Sequence, residues 1–164
     1  MNAKKNVEQQ TIFNTQRIYV KGSSFESPLT PKIFTESLTP KIDMQIQTNY
    51  SEIENHLYEA VLSLTLTNQA EEKENKQNKE EKTIWRLELH QAGVFTLEGF
   101  TEEQLRQTLY GFCMNLLYPY ACEAISGMIV RSGFQPVYLT PMNFEILYRE
   151  QLRRQTATEA EVTA

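Results

Sequence analysis

Leu57-Tyr58-Glu59-Ala60-Val61-Leu62-Ser63-Leu64-Thr65-Leu66-Thr67 decides the fold. Tyr58, Ala60, Leu62, Leu64 and Leu66 recur with period two, and Glu59, Ser63, Thr65 and Thr67 stand between them. Successive side chains of a strand point to opposite faces, so this run has one apolar and one polar face. That is the pattern of a half-buried antiparallel strand. Ile42-Asp43-Met44-Gln45-Ile46-Gln47 repeats it, apolar on the even positions. So do Trp85, Leu87 and Leu89 against Arg86, Glu88 and His90, in a strand that ends with Ala92-Gly93-Val94-Phe95. A further strand is expected over Ile12–Phe25, where β-branched and aromatic residues concentrate. Pro28 and Pro31 punctuate the chain after it, Lys32–Leu38 has room for one helical turn, and Pro40 stops it.

Helical periodicity begins after the strands. Thr101-Glu102-Glu103-Gln104 is a capping box with its acids on the favourable end of the helix dipole. Leu105, Leu109, Phe112 and Leu116 follow as one apolar stripe. Pro119 is expected to interrupt this helix, and Ala121, Ile125, Met128 and Ile129 carry a second stripe to Gly133. Thr140-Pro141 reads as the start of a last helix lined by Phe144, Leu147, Tyr148 and Leu152. Four strands first and helices after them predict an α+β fold: a four-stranded antiparallel sheet with helices packed on one face.

The 164 residues suit one domain, expected over 11–154, with a polar tail at 1–10 and a flexible one at 155–164. Glu71–Lys82 holds five acids and four lysines with no apolar residue, so it has nothing to bury and is expected to be a solvated, mobile hairpin loop. The net charge of -5 argues against nucleic acid as a partner, which needs a basic footprint. The basic start, Met1 to Asn6, is followed by no apolar segment, so no secretory leader is expected. No apolar run is long enough to insert in a membrane, and a cytoplasmic location is expected. Cys113 and Cys122 form neither a disulfide framework nor a metal motif, and read as ordinary thiols.

Catalytic patterns are missing from the sequence. His56 and His90 have no Cys or His at metal-ligand spacing, and no nucleophile elbow, phosphate loop or dinucleotide fingerprint occurs. Paired carboxylates such as Glu102-Glu103 lie in solvated runs. The chain is therefore expected to be no enzyme and to use no cofactor or metal. Large apolar residues exceed what one sheet face consumes: Phe13, Tyr19, Phe25, Phe34, Leu38 and Tyr138 are extra. They serve a core, an oligomer contact or a binding surface.

Five segments in order resemble SecB, the bacterial protein-export chaperone family. They are Gln16-Arg17-Ile18-Tyr19-Val20-Lys21 with Ser24-Phe25-Glu26-Ser27-Pro28, then Leu57-Tyr58-Glu59-Ala60-Val61-Leu62, then Gln91-Ala92-Gly93-Val94-Phe95. Leu116-Leu117-Tyr118-Pro119-Tyr120-Ala121 and Pro141-Met142-Asn143-Phe144-Glu145 complete the set, which spans roughly residues 11 to 150. The resemblance implies a homotetramer, a dimer of dimers with long helices held between two sheets. It implies an ATP-independent holdase that keeps unfolded precursor polypeptides translocation-competent and passes them to the SecA motor.

In SecB-like proteins the connection into strand two and the outer face of that strand line the client groove with the last helix. The resemblance puts Leu38, Ile42, Met44, Ile46, Leu147 and Tyr148 there. Leu38 replaces a larger aromatic and Tyr148 a familiar Phe. Plain sheet core is the other reading of Ile42 and Met44. For SecA docking, Glu26 and Glu88 stand where the family carries acids. Gly22 occupies a position usually acidic, Arg86 one usually leucine, and Cys122 a common arginine. These departures leave two other readings in view: a SecB-like chaperone dedicated to another client, such as a toxin–antitoxin pair, and a non-chaperone homo-oligomeric binding protein.

Overall fold

The computed structural model describes residues 10–71 and 81–162. Residues 1–9 of the tail expected at 1–10, the middle of the charged segment at 72–80 and residues 163–164 lie outside them. The chain forms β1 (Ile12–Glu26), a 3-10 turn (Lys32–Thr35), β2 (Pro40–Glu54), β3 (Leu57–Glu71) and β4 (Glu81–Glu98). A helical rod comes next: α1 (Glu102–Gln107), a π-helical turn (Thr108–Phe112) and α2 (Cys113–Arg131). The last helix is α3 (Phe144–Val162). The four strands make one antiparallel sheet in the order β1-β4-β3-β2, the α+β arrangement expected from the strand periodicities.

The period-two residues of β3 and β4 face each other across the ladder, with Leu64 opposite Leu89 and Leu66 opposite Leu87. All four are essentially buried beneath the rod, together with Leu62, Phe95, Leu109, Leu117 and Ile125. Each such side chain removed from water stabilises the fold by about 1.5–3 kcal/mol. Gly93 lets the rod approach: a Cβ there would lie 2.7 Å from the Phe95 ring and 3.0 Å from Leu117.

Several details depart from the sequence reading. Glu71 and Lys82, at the ends of the segment expected as a loop, already lie in strands, paired opposite Glu81 and Ala70. Pro119 does not interrupt the rod, because Leu117, Tyr118, Ala121 and Ile125 are buried on both sides of it. That burial exceeds the roughly 3 kcal/mol an interior proline costs. The π turn inserts extra backbone, so Phe112 leaves the stripe and is 44% exposed, with its ring 5.1 Å from that of Phe13, while Cys113 and Met114 turn inward. The last helix starts at Phe144 rather than at Thr140-Pro141, since Asn143 accepts the N–H groups of Glu145 and Ile146. That helix also continues past Gln155 to Val162, where a tail was expected.

The extra aromatics find separate uses. Phe25 packs on Trp85 and Phe134, and Phe34 on Phe134. Tyr19 bonds Glu59 on the polar face of the sheet, and Tyr138 is 86% exposed.

The β2–β3 hairpin turns through His56, whose φ of 62° lies in the left-handed region and whose carbonyl accepts the Leu97 N–H. A Cβ is strained there. His56→Gly is expected to raise stability by about 1 kcal/mol in a urea titration. A fall in stability would show that the imidazole contributes more than the backbone strain costs.

Candidate functional site: a groove between the edge strand and the last helix

β2 keeps its alternation well beyond the six residues that announced it. Ile42, Met44, Ile46, Thr48 and Tyr50 pair opposite Asn68, Leu66, Leu64, Leu62 and Ala60, and so share the helix-side face of the sheet. The family-based reading put the groove on the outer face of this strand; its apolar side chains are on the inner one. The rod packs mainly on β3 and β4 and meets β2 at its π turn, where Tyr110 lies against Tyr50, which leaves the Ile42 end uncovered. Ile42 is 40% exposed, and Met44 and Ile46 are half-buried. Ile42 is therefore no core residue within the single chain.

The far wall is the first two turns of α3. A concavity of about 260 Å³ lies between the two, lined by Ile46, Thr48, Tyr110, Met142, Phe144, Leu147, Tyr148 and Gln151. Three of the six residues assigned by resemblance, Ile46, Leu147 and Tyr148, meet in it. Met44 and Ile42 continue the same face of β2 toward Pro40. Leu38, just before the strand, is half-buried against the core.

Tyrosines form one end of the groove. Tyr110 stacks on Tyr148, with centroids 5.2 Å apart, and takes Tyr50 edge-on at 5.0 Å. Burial, with the neighbouring Tyr50 and Tyr148, raises the Tyr110 phenol above its usual range. The sequence reading missed this cluster. Tyr50 was available from the parity of β2. Tyr110 was not, because the π turn sets its direction.

Two asparagines hold the α3 wall. The Asn115 side chain accepts the Phe144 N–H at 2.9 Å, and Asn143 caps the next two amides. Gly111 allows the contact: a Cβ there would lie 2.8 Å from Glu145 Cγ and 3.2 Å from its Cα.

The opposite face of the sheet is polar. Glu26 pairs opposite Arg86 and Ser24 opposite Glu88, so both candidate docking acids lie there. Arg86 also donates directly to Glu88. Gly22, opposite His90, adds no acid to the patch. Nearby, Lys21 bonds Glu59 at 2.6 Å and Tyr19 donates to the same carboxylate. Burial opposes the charge on Glu59, but these two bonds outweigh it and hold the carboxyl below its usual range. The bond to Glu59, with burial, pushes the Tyr19 phenol up to about 12. Among the described residues no group of three His, Cys, Asp or Glu could hold a metal ion. No described helix is long and apolar enough to cross a membrane.

The model of the preprotein translocase subunit SecB family matches residues 6–155. The chain belongs to the SecB family. The protein-export protein SecB of Hahella chejuensis is 37% identical over 98% of this chain and 95% of its own length. That of Dechloromonas aromatica is 38% identical over 94% of this chain and 95% of its own. SecB is a family of protein-export chaperones, not of enzymes. A SecB-like chaperone of Mycobacterium tuberculosis, solved in complex with a ChAD peptide from the HigA1 antitoxin, shares the fold. Its TM-score is 0.62 at 16% identity, over 80% of this chain and 91% of that one.

Removing the Asn143 cap is expected to cost about 1 kcal/mol. Asn143→Ala should lower the urea midpoint by that amount and speed amide exchange in the first turn of α3 ahead of β3 and β4. Uniformly faster exchange would mean that α3 is not a separately held wall.

Proposed function

We propose that the chain is an ATP-independent holdase that binds unfolded precursor polypeptides along the β2–α3 groove and works in the cytoplasm as a homotetramer. The observation that carries this reading is an uncovered apolar strand face beside a helix wall, in a chain of the SecB family. Burying about 400 Å² of client apolar surface is worth roughly 10 kcal/mol gross. Ordering the client removes much of that gain. One groove is then modest, and several grooves on one assembly gain through effective concentration. Met44 and Met142 suit many clients because their side chains adapt. Self-association is supported by the solvent side of the rod, where Tyr120 and Val130 are 53% and 50% exposed and Gly127 has open space around it.

Delivery to SecA through Glu26 and Glu88 is the finer part of the proposal. The ion pair of Arg86 with Glu88 favours a second reading, a SecB-like chaperone whose client or partner lies elsewhere, because it offsets the charge a basic docking segment would meet.

Two substitutions test these parts separately. Ile42→Asp should leave the oligomer mass unchanged and weaken binding of an unfolded, labelled precursor by about tenfold. Dissociation of the oligomer would make Ile42 an interface residue. Arg86→Leu should tighten calorimetric binding to SecA in low salt and leave client binding alone. Should neither the parent nor this variant bind SecA while clients still bind, the export reading gives way to the second one.

A further inference from the structure

β2 is the last strand of its sheet, so one of its edges faces no strand among the described residues. Along an antiparallel strand the N–H and C=O of alternate residues point to the same side. Two observations fix which residues point outward. The Tyr50 N–H donates to the side chain of Asn49 at 2.9 Å. Pro40, which has no N–H, pairs opposite Ala70 at the far end of a register unbroken from Pro40 to Glu52. A proline fits an edge strand where its missing N–H would face away from the ladder. Both residues are even-numbered. Ile42, Met44, Ile46 and Thr48 therefore turn their backbone groups to the open edge and their side chains to the groove.

Edges are usually blunted by proline, charge or bulges. Here Pro40 and Lys41 stand at one end and a bulge between Glu52 and Glu54 at the other. Asp43 is the one charge between Ile42 and Ser51. A concavity of about 720 Å³ is lined by the strand at Ile46, Gln47, Thr48 and Asn49 and by Gln151 of α3, and extends over Ser63, His90 and Lys21 on the outer face of the sheet.

We propose that an extended client segment adds to this edge as a fifth strand over Ile42–Thr48, and that Asn49 ends the pairing window by occupying the Tyr50 N–H. The inference rests on the client reading above and specifies how the client is held. Backbone bonds would supply affinity that ignores sequence, and the inward side chains would select apolar residues at alternate client positions. Such an occupant matches both features of the strand at once.

The test uses a labelled peptide alternating leucine and serine, with lysine at both ends, followed by fluorescence anisotropy. Two variants carry N-methyl groups, on every leucine amide or on every serine amide. One set should lose about tenfold or more in affinity and the other should bind like the parent. Which set fails reports the strand orientation. Equal behaviour of the two sets overturns the inference while leaving the client reading intact, and failure of the parent peptide to bind overturns both. On the protein side, Thr48→Pro removes an outward donor without touching the ladder to β3. It should weaken the parent peptide several-fold more than Thr48→Ala does, and an equal loss in the two variants would overturn the inference. A change in oligomer mass with peptide affinity unchanged would mean that the edge pairs copies of the chain, and would also overturn the proposal.

Discussion

One helical rod cannot cover a four-stranded sheet. A helix with its side chains is about 10–12 Å across, whereas four strands spaced about 4.8 Å apart span more than that. The rod covers β3 and β4, the two central strands, and their leucines are its floor. The inner faces of β1 and β2 must find other cover. On the β1 side, Phe13 meets Phe112 and Phe25 meets Phe134. On the β2 side the π turn of the rod and the first turns of α3 arrive, and the apolar face beyond them stays partly open. The candidate groove results from this shortage of cover.

Covering even that much of β2 requires a local irregularity in the rod. The π turn at Thr108–Phe112 directs Tyr110 toward β2 and presents Gly111 backbone to α3. It displaces Phe112 from the core stripe, and the Phe13 ring takes up the displaced side chain. Asn115, one turn on, receives the first amide of α3. The groove wall is thus fixed at its base by bonds to the rod, while Leu147 and Leu152 farther along remain 40% and 39% exposed.

The sheet was legible because period two is a property of the strand itself and survives any tertiary arrangement. The strand order was not, since it depends on which edges meet. Ile42, Met44 and Ile46 could be grouped from parity alone, but whether they faced core or groove depended on where the rod lay. Pro119 misled because its local cost is small beside the burial of Leu117, Tyr118 and Ala121 around it. Asn143 displaced Thr140-Pro141 as the start of α3 because its carbonyl satisfies two orphan amides at once. Tyr110 was invisible for the same kind of reason: an extra residue in one turn redirects every side chain in that turn.

The two faces of the sheet carry different physics. The inner face of β2 offers apolar area, which is non-directional and suits partners without a fixed sequence. The outer face offers charges in register, Glu26 opposite Arg86 and Glu88 bonded by it. Charge contacts at an exposed face set orientation and association rate more than affinity, and they weaken with salt. A cationic partner at this face would have to compete with Arg86 for Glu88, whereas a client in the groove meets no such competitor. Period two lets one strand pair carry both surfaces, so a substitution on one parity leaves the chemistry of the other in place.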